Sequence, residues 1–200
     1  MKKILLLALV GILLISGVKA IDSPEKEDTT KIYLTKSFTF SEPRITQTGD
    51  YVKIQLSETT FLIRDPGKPE LPMVPYSFDI PFGANNIDVK FTQLDEYELI
   101  LLQKIAPTPE AVSKSITTKI NSDDLFEDSD IYSSTNRYPN NWFDTKITCG
   151  ITTNKERITH ITIYIYPIQY SPALNKINYL KQATVEITYT EPKNNLTFED

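Results

Sequence analysis

Two segments in the last quarter of the chain repeat with a period of two. In "RITHITIYIYP", Ile161, Ile163 and Ile165 alternate with Thr162, Tyr164 and Tyr166. In "QATVEITYT", Ala183, Val185, Ile187 and Tyr189 alternate with Thr184, Glu186, Thr188 and Thr190. Successive side chains of a strand point to opposite faces, so each segment carries one apolar and one polar face. That pattern predicts half-buried antiparallel strands, and an apolar sheet face needs a second layer to cover it. No helical periodicity is sustained over a useful length.

Further strands are expected near 31–41, 51–57, 59–64, 75–81, 86–94 and 96–105, where Tyr, Phe, Ile, Val and Thr concentrate. Residues 168–178 read as a connection, with Ser171-Pro172 and Asn175 as its turn residues. Residues 107–135 differ from the rest. They are polar, with two prolines at the start and acids in the middle, and read as a surface excursion holding at most a short helix and a short strand. The expected fold class is all-β, an antiparallel β-sandwich of jelly-roll-like build over residues 31–191.

The stretch "RDPGKPELPMVPYSFDIPFGA" is crowded with prolines. Proline lacks the ladder donor and restricts the residue before it to extended backbone. Asp65-Pro66-Gly67 is expected to turn, and the following residues to cross over as a stiff, poorly hydrogen-bonded ribbon. A strand should begin near Tyr76 and end at Pro81 and Gly83. This is architecture and not chemistry.

The first twenty residues, "MKKILLLALVGILLISGVKA", have the layout of a signal peptide, with cleavage expected between Ala20 and Ile21. Their apolar run is short for a spanning helix. Residues 21–30 read as a flexible linker, and 192–200 as a polar tail or a linker to a downstream domain. Removing Met1–Ala20 takes Lys2, Lys3 and Lys19 away and moves the net charge from −5 to −8. An acidic, exported domain is a poor partner for nucleic acid or an anionic membrane. The expected location is extracellular or at the cell surface.

The chain has one cysteine, Cys149, and one histidine, His160. Cys149 reads as a small buried residue and His160 as part of a strand. No oxyanion-type or Gly-rich motif accompanies them, so no catalytic dyad is assigned. Asp123, Asp124, Glu127, Asp128 and Asp130 lack the spacing and turn glycine of a calcium loop, and read as a solvated surface. No metal and no cofactor is assigned. Tyr132, Tyr138, Trp142 and Phe143 could serve a carbohydrate- or surface-binding module, or close one end of the core. Asn195-Leu196-Thr197 fits the N-glycosylation pattern.

"PGKPELPMVPYSFDIPFGA" followed by a "VKF" strand resembles the start of the propeptide domain of gingipain-type cysteine peptidases. That family carries a glycine-x-proline-x-leucine-proline element, then a strand that ends in proline. "YPNNWFD", "CGI" and "ITIYIYPIQYSPALNKINYLKQATVEITYT" resemble its closing half, with Tyr138-Pro139, Pro167, Tyr170 and Pro172 at the matching points. The resemblance spans roughly residues 35–190. It implies a jelly-roll-like sandwich that precedes a cysteine peptidase, assists its folding and keeps it latent until cleavage. The chain itself shows no catalytic domain and is not expected to be an enzyme. The implied partner is the cognate catalytic domain, in cis or in trans. Some members of the resembled family cut after arginine. Among Arg44, Arg64, Arg137 and Arg157, Arg137 in "STNRYPN" is the one placed to act as an inhibitory contact, because it ends the polar excursion beside Pro139.

Overall fold

A computed structural model of the protein describes residues 30–59, 61–110 and 125–192. Both alternating segments are strands, and they form the centres of two sheets. In chain order the strands are β1 (Lys31–Thr39), β2 (Arg44–Thr48), β3 (Tyr51–Gln55), β4 (Phe61–Ile63) and β5 (Leu71–Pro81). Then come β6 (Asn85–Ile100), the helix α1 (Ser129–Tyr132), β7 (Phe143–Ile151), β8 (Arg157–Ile165), β9 (Ile168–Ser171) and β10 (Lys176–Thr190).

β10 is the spine of the first sheet. It pairs with β6 along one side, and with β1 and then β9 along the other, all antiparallel. The second sheet runs β4-β5-β8-β7. The apolar faces meet as the alternation requires. Ile161, Ile163 and Ile165 of β8 and Ala183, Val185 and Ile187 of β10 are all 0% exposed and share one core cluster. Chain crossings from β5 to β6 and from β8 to β9 carry the backbone between the two sheets, giving a jelly-roll-like sandwich. β2 and β3 form a separate hairpin, tied in by the bonds from Val52 N–H to Lys104 C=O and from Ala106 N–H to Val52 C=O.

The proline run is strand, contrary to the expectation of a poorly bonded ribbon that becomes a strand only near Tyr76. In an antiparallel strand, alternate residues turn their N–H groups to opposite neighbours. The bond from Tyr166 N–H to Trp142 C=O, together with the two registers of β8, sets the phase: the even-numbered residues of β5 face β8. Pro75 and Pro81 therefore face the β4 side, beyond Leu71–Met73 where β4 pairs. Pro72 faces the β8 side, before Val74 where β8 pairs. Among the described residues, each ring nitrogen points where no strand stands, so these three prolines cost the ladder no bond.

Other boundaries also moved. The strands expected at 86–94 and 96–105 are one strand, β6, although Asp95 between them has φ 55 and is absent from the ladder. Its far end stops at Ile100 because Leu101 turns inward and becomes buried. The expected 168–178 connection contains β9, a turn of 3-10 helix at Pro172–Leu174, and the start of β10; Asn175 takes the left-handed conformation there, φ 49. The 107–135 excursion contains α1 among its described residues.

Candidate functional site

The Asp65–Lys68 turn, with Pro66 and Gly67 at its centre, forms as expected. Lys68 N–H donates to Asp65 C=O at 3.0 Å, and Gly67 has φ +78, the left-handed value that favours glycine. The turn also grips both ends of the polar excursion. Gly67 N–H donates to Thr108 C=O, and Gly67 C=O accepts from Asp128 N–H, each at 2.9 Å. Thr108 N–H donates to Lys68 C=O at 2.8 Å, and Glu70 N–H to Ala106 C=O at 3.0 Å. One buried glycine thus joins the two feet of an excursion whose residues 111–124 lie outside the described part of the structure.

The second foot is held by side chains that read as a solvated acidic surface. Glu127 accepts from Lys104 Nζ at 2.7 Å and from the Tyr51 hydroxyl at 3.2 Å. Asp128 caps α1, its Oδ1 accepting from the N–H groups of Asp130 and Ile131. Tyr132 is buried, and its hydroxyl donates to Ile105 C=O at 2.7 Å. Tyr138 exchanges two backbone bonds of 2.8 Å with Tyr170 and sends its hydroxyl to Asp65 at 3.4 Å. The Tyr138-Pro139 bond is cis. Tyr170 is fully buried and donates its hydroxyl to Asn175 Oδ1 at 2.7 Å. Burial pushes all three phenols up: Tyr170 to about 12, Tyr132 and Tyr138 further, helped by Glu127 and Asp65 respectively. They stay neutral donors at any physiological pH. Asp123 and Asp124 lie outside the described residues, as do Ala20, Ile21 and Asn195.

Arg137 is held against the fold. Its guanidinium lies 2.9 Å from Glu96 Oε1, donates to Gln169 Oε1 at 3.3 Å, and sits 6.0 Å from the Trp142 ring centroid. Glu96 also accepts from Asn178 Nδ2, which bonds Glu98 as well. Glu98 is drawn below the usual carboxylate range, first by its hydrogen bond from Lys176 and then by Asn178. Phe143 stacks on Phe91 across the two sheets at 5.0 Å. Tyr138, Trp142 and Phe143 thus pack against the core, and Tyr132 is buried.

Cys149 is exposed, not buried as the sequence suggested. β7 is an edge strand, and its residues Thr145, Ile147 and Cys149, on the face that Phe143 shares, are exposed. The register sets Cys149 opposite Thr159, and Thr148 opposite His160. Paired residues share a face and neighbours alternate, so Cys149 and His160 lie on opposite faces and form no dyad. His160 instead bonds Asp79 across the outer face, Nδ1 to Oδ1 at 2.6 Å, over the space that Gly150 leaves open. Among the described residues, no group of three or more His, Cys, Asp or Glu side chains is placed to hold a metal ion.

Sequence reasoning found the Asp-Pro-Gly turn but not what it holds, because Thr108 and Asp128 are distant in the chain. Gly67→Ala should expose the role. A Cβ there would stand 2.5 Å from the Phe126 ring and impose a left-handed alanine. The expected cost is about 1–2 kcal/mol in urea unfolding, with faster amide exchange at Thr108 and Asp128. An unchanged midpoint and exchange pattern would show that the turn is no clamp.

Set beside known proteins, the chain matches the Propeptide_C25 family model over residues 16–199. No curated protein matches it. Its fold is shared by the solved complex of Porphyromonas gingivalis RgpB pro- and mature domains, with TM-score 0.62 and 17% identity over 84% of this chain and 83% of that one. It is shared equally by a structure addressing the zymogenic latency of gingipain K from Porphyromonas gingivalis, with TM-score 0.63 and 19% identity over 84% of this chain and 95% of that one. At such identities these two likenesses speak for fold, whereas the family match runs through the proline strand, the clamp and both alternating strands: the chain belongs to the Propeptide_C25 family, the propeptides of gingipain-type peptidases.

Proposed function

We propose that this protein is an exported, non-catalytic prodomain that assists the folding of a gingipain-type catalytic domain and keeps it latent until cleavage. The family match over residues 16–199 carries this reading. It is supported by the two structural neighbours, one a complex of pro- and mature domains and one concerned with zymogenic latency. A latency domain needs a body that presents a surface in a fixed place, and the two-sheet core, to which Thr108 and Asp128 are bonded through Gly67, supplies one. The leader-like Met1–Ala20 supports export with cleavage before Ile21, and among the described residues no helix is long and apolar enough to cross a membrane.

Arg137 serves as the inhibitory contact in this reading by exchanging Glu96 for a carboxylate of the peptidase. The exchange replaces one ion pair with another, so specificity would come from the burial of the new pair. Titrating the catalytic domain with this protein, wild type and Arg137→Ala, tests both parts. Inhibition by the wild type supports the latency role, and a constant unchanged in the variant removes Arg137 from it.

A further inference from the structure

Both sheets end on the same side of the sandwich. Among the described residues β6 pairs only with β10 and β7 only with β8, so each is the last strand of its sheet there. Phe91 of β6 stacks on Phe143 of β7 at 5.0 Å, which sets the two edges one above the other. The register of β7 fixes what its free side offers. Trp142 C=O accepts from Tyr166 N–H, so the even-numbered residues of β7 turn their backbone groups to β8. The N–H and C=O groups of Phe143, Thr145, Ile147, Cys149 and Ile151 therefore point away from the sheet. The side chains of the same five residues lie on the inner face, where Ile147 is 50% exposed, Ile151 65%, and Cys149 is exposed as well. Such edges are normally blunted by proline, a bulge or several lysines. β7 has no proline, its ladder with β8 runs without a register shift, and its one lysine, Lys146, is on the outer face.

Symmetry, charge and area together select a second copy of this chain as the occupant. A two-fold axis running through both sheets lays β7 antiparallel against β7 of the second copy and sets β6 beside its counterpart, so that one sandwich continues into the other. Pairing all nine residues of β7 about Ile147 sets Ile147 against itself, Thr145 against Cys149 and Phe143 against Ile151 on the inner face. On the outer face Asp144 meets Gly150 and Lys146 meets Thr148, so no like charges stand opposite one another. Centring the pair one residue earlier opposes Lys146 to Lys146. A register that sets odd-numbered against even-numbered residues leaves the outward N–H groups without acceptors. Nine strand residues span about 30 Å, and two layers with their side chains are about 20 Å thick. The contact then covers about 600 Å² on each copy, about 1,200 Å² in all, which is the low end of what a stable dimer buries.

We propose that this protein self-associates as a two-fold dimer through β7, paired with β7 of a second copy in the register centred on Ile147. The inference stands independently of the prodomain reading. In the dimer the outward backbone groups of β7 gain partners, and Ile147, Cys149 and Ile151 are covered without any rearrangement of the single chain. Cys149 stands opposite Thr145 of the second copy and not opposite its own counterpart, so the dimer needs no disulfide.

The test follows the molar mass of the purified protein by sedimentation across the micromolar range, together with amide exchange. The expected result is a monomer at the low end, a dimer at the high end, and protection of the Thr145, Ile147 and Cys149 amides that grows with concentration. Ile147→Lys sets two lysines against each other and should weaken dimerisation by about tenfold or more with the melting of dilute protein unchanged, whereas Ile45→Lys, at an exposed position of β2, should leave it as it is. Thr145→Cys sets a second thiol opposite Cys149 of the other copy at a Cα separation of about 5.5 Å, within disulfide range. Mild oxidation should therefore give a covalent dimer in that variant and not in the wild type. A monomer at every concentration, or a dimer that Ile147→Lys leaves intact, would overturn the inference. A wild type that crosslinks through Cys149 would overturn the register. Protection of the β7 amides that appears only when a gingipain-type catalytic domain is added would assign the edge to the peptidase and overturn the dimer.

Discussion

Replacing Ile163 with alanine is expected to lower stability by about 2–5 kcal/mol. Ile163 is fully buried at the middle of β8, between Tyr76 of β5 and Thr145 of β7, and faces the β10 side chains of the opposite sheet. Truncation loses the transfer energy of the removed carbons and leaves a cavity that paired strands cannot close. For a urea slope of about 2 kcal/mol/M, the midpoint should fall by about 1–2.5 M. Val185→Ala on β10 should cost less, because fewer atoms leave. Thr162→Ala is the internal control. Thr162 points outward, and its loss forfeits only the 2.9 Å hydroxyl contact with Ser77. A midpoint that moves for Thr162 and not for Ile163 would mean that the faces of β8 are reversed.

Alkaline pH should destabilise the fold steeply, and the sign follows from three tyrosines. Tyr132, Tyr138 and Tyr170 have their pKa values raised from the ordinary 10 mainly by burial. Above pH 10 the unfolded chain releases phenolic protons that the folded chain retains. The unfolded state then binds fewer protons, so stability falls as pH rises. Below pH 10 both states keep the protons and the groups add no slope. Each such tyrosine removes about 1.4 kcal/mol per pH unit within its window. For Tyr170 that window closes at about 12, and for the other two it extends higher. Melting temperature should be level from neutral pH to about pH 10 and fall sharply beyond it, less so in Tyr132→Phe. A profile that stays flat up to pH 12 would contradict the burial of these phenols.

The parts of the fold legible in the sequence are those where one face is buried and the other wet. β8 and β10 announce themselves by alternation because solvent and core lie on opposite sides of them. β9 does not, because all four of its residues are buried, so "IQYS" shows no period and its flanking prolines suggest a connection. β7 fails for the opposite reason. Thr145, Ile147 and Cys149 are exposed on an edge strand, and no burial shapes their pattern. Asp95 lies between the two expected strands, 86–94 and 96–105, and its residue type favours turns. It does adopt a turn-like φ, yet the β10 ladder resumes on both sides of it.

The candidate site was legible only as separate pieces. Asp65-Pro66-Gly67 declared a turn through its own chemistry. That Gly67 bonds Thr108 and Asp128 could not be read, since it depends on tertiary folding. Glu127 and Asp128 looked like solvated acids because cap and ion-pair partners carry no local signature. Arg137 stood out beside its proline, but its pairing with Glu96 of β6 depends on the sandwich being assembled.

Latency is tested most directly by titrating an active gingipain-type catalytic domain with this protein and following hydrolysis of a small peptide substrate. Turnover should fall in proportion to added protein, reach near-complete inhibition at one equivalent, and return once the protein is cleaved. Full turnover at a large excess of folded protein would contradict the prodomain reading.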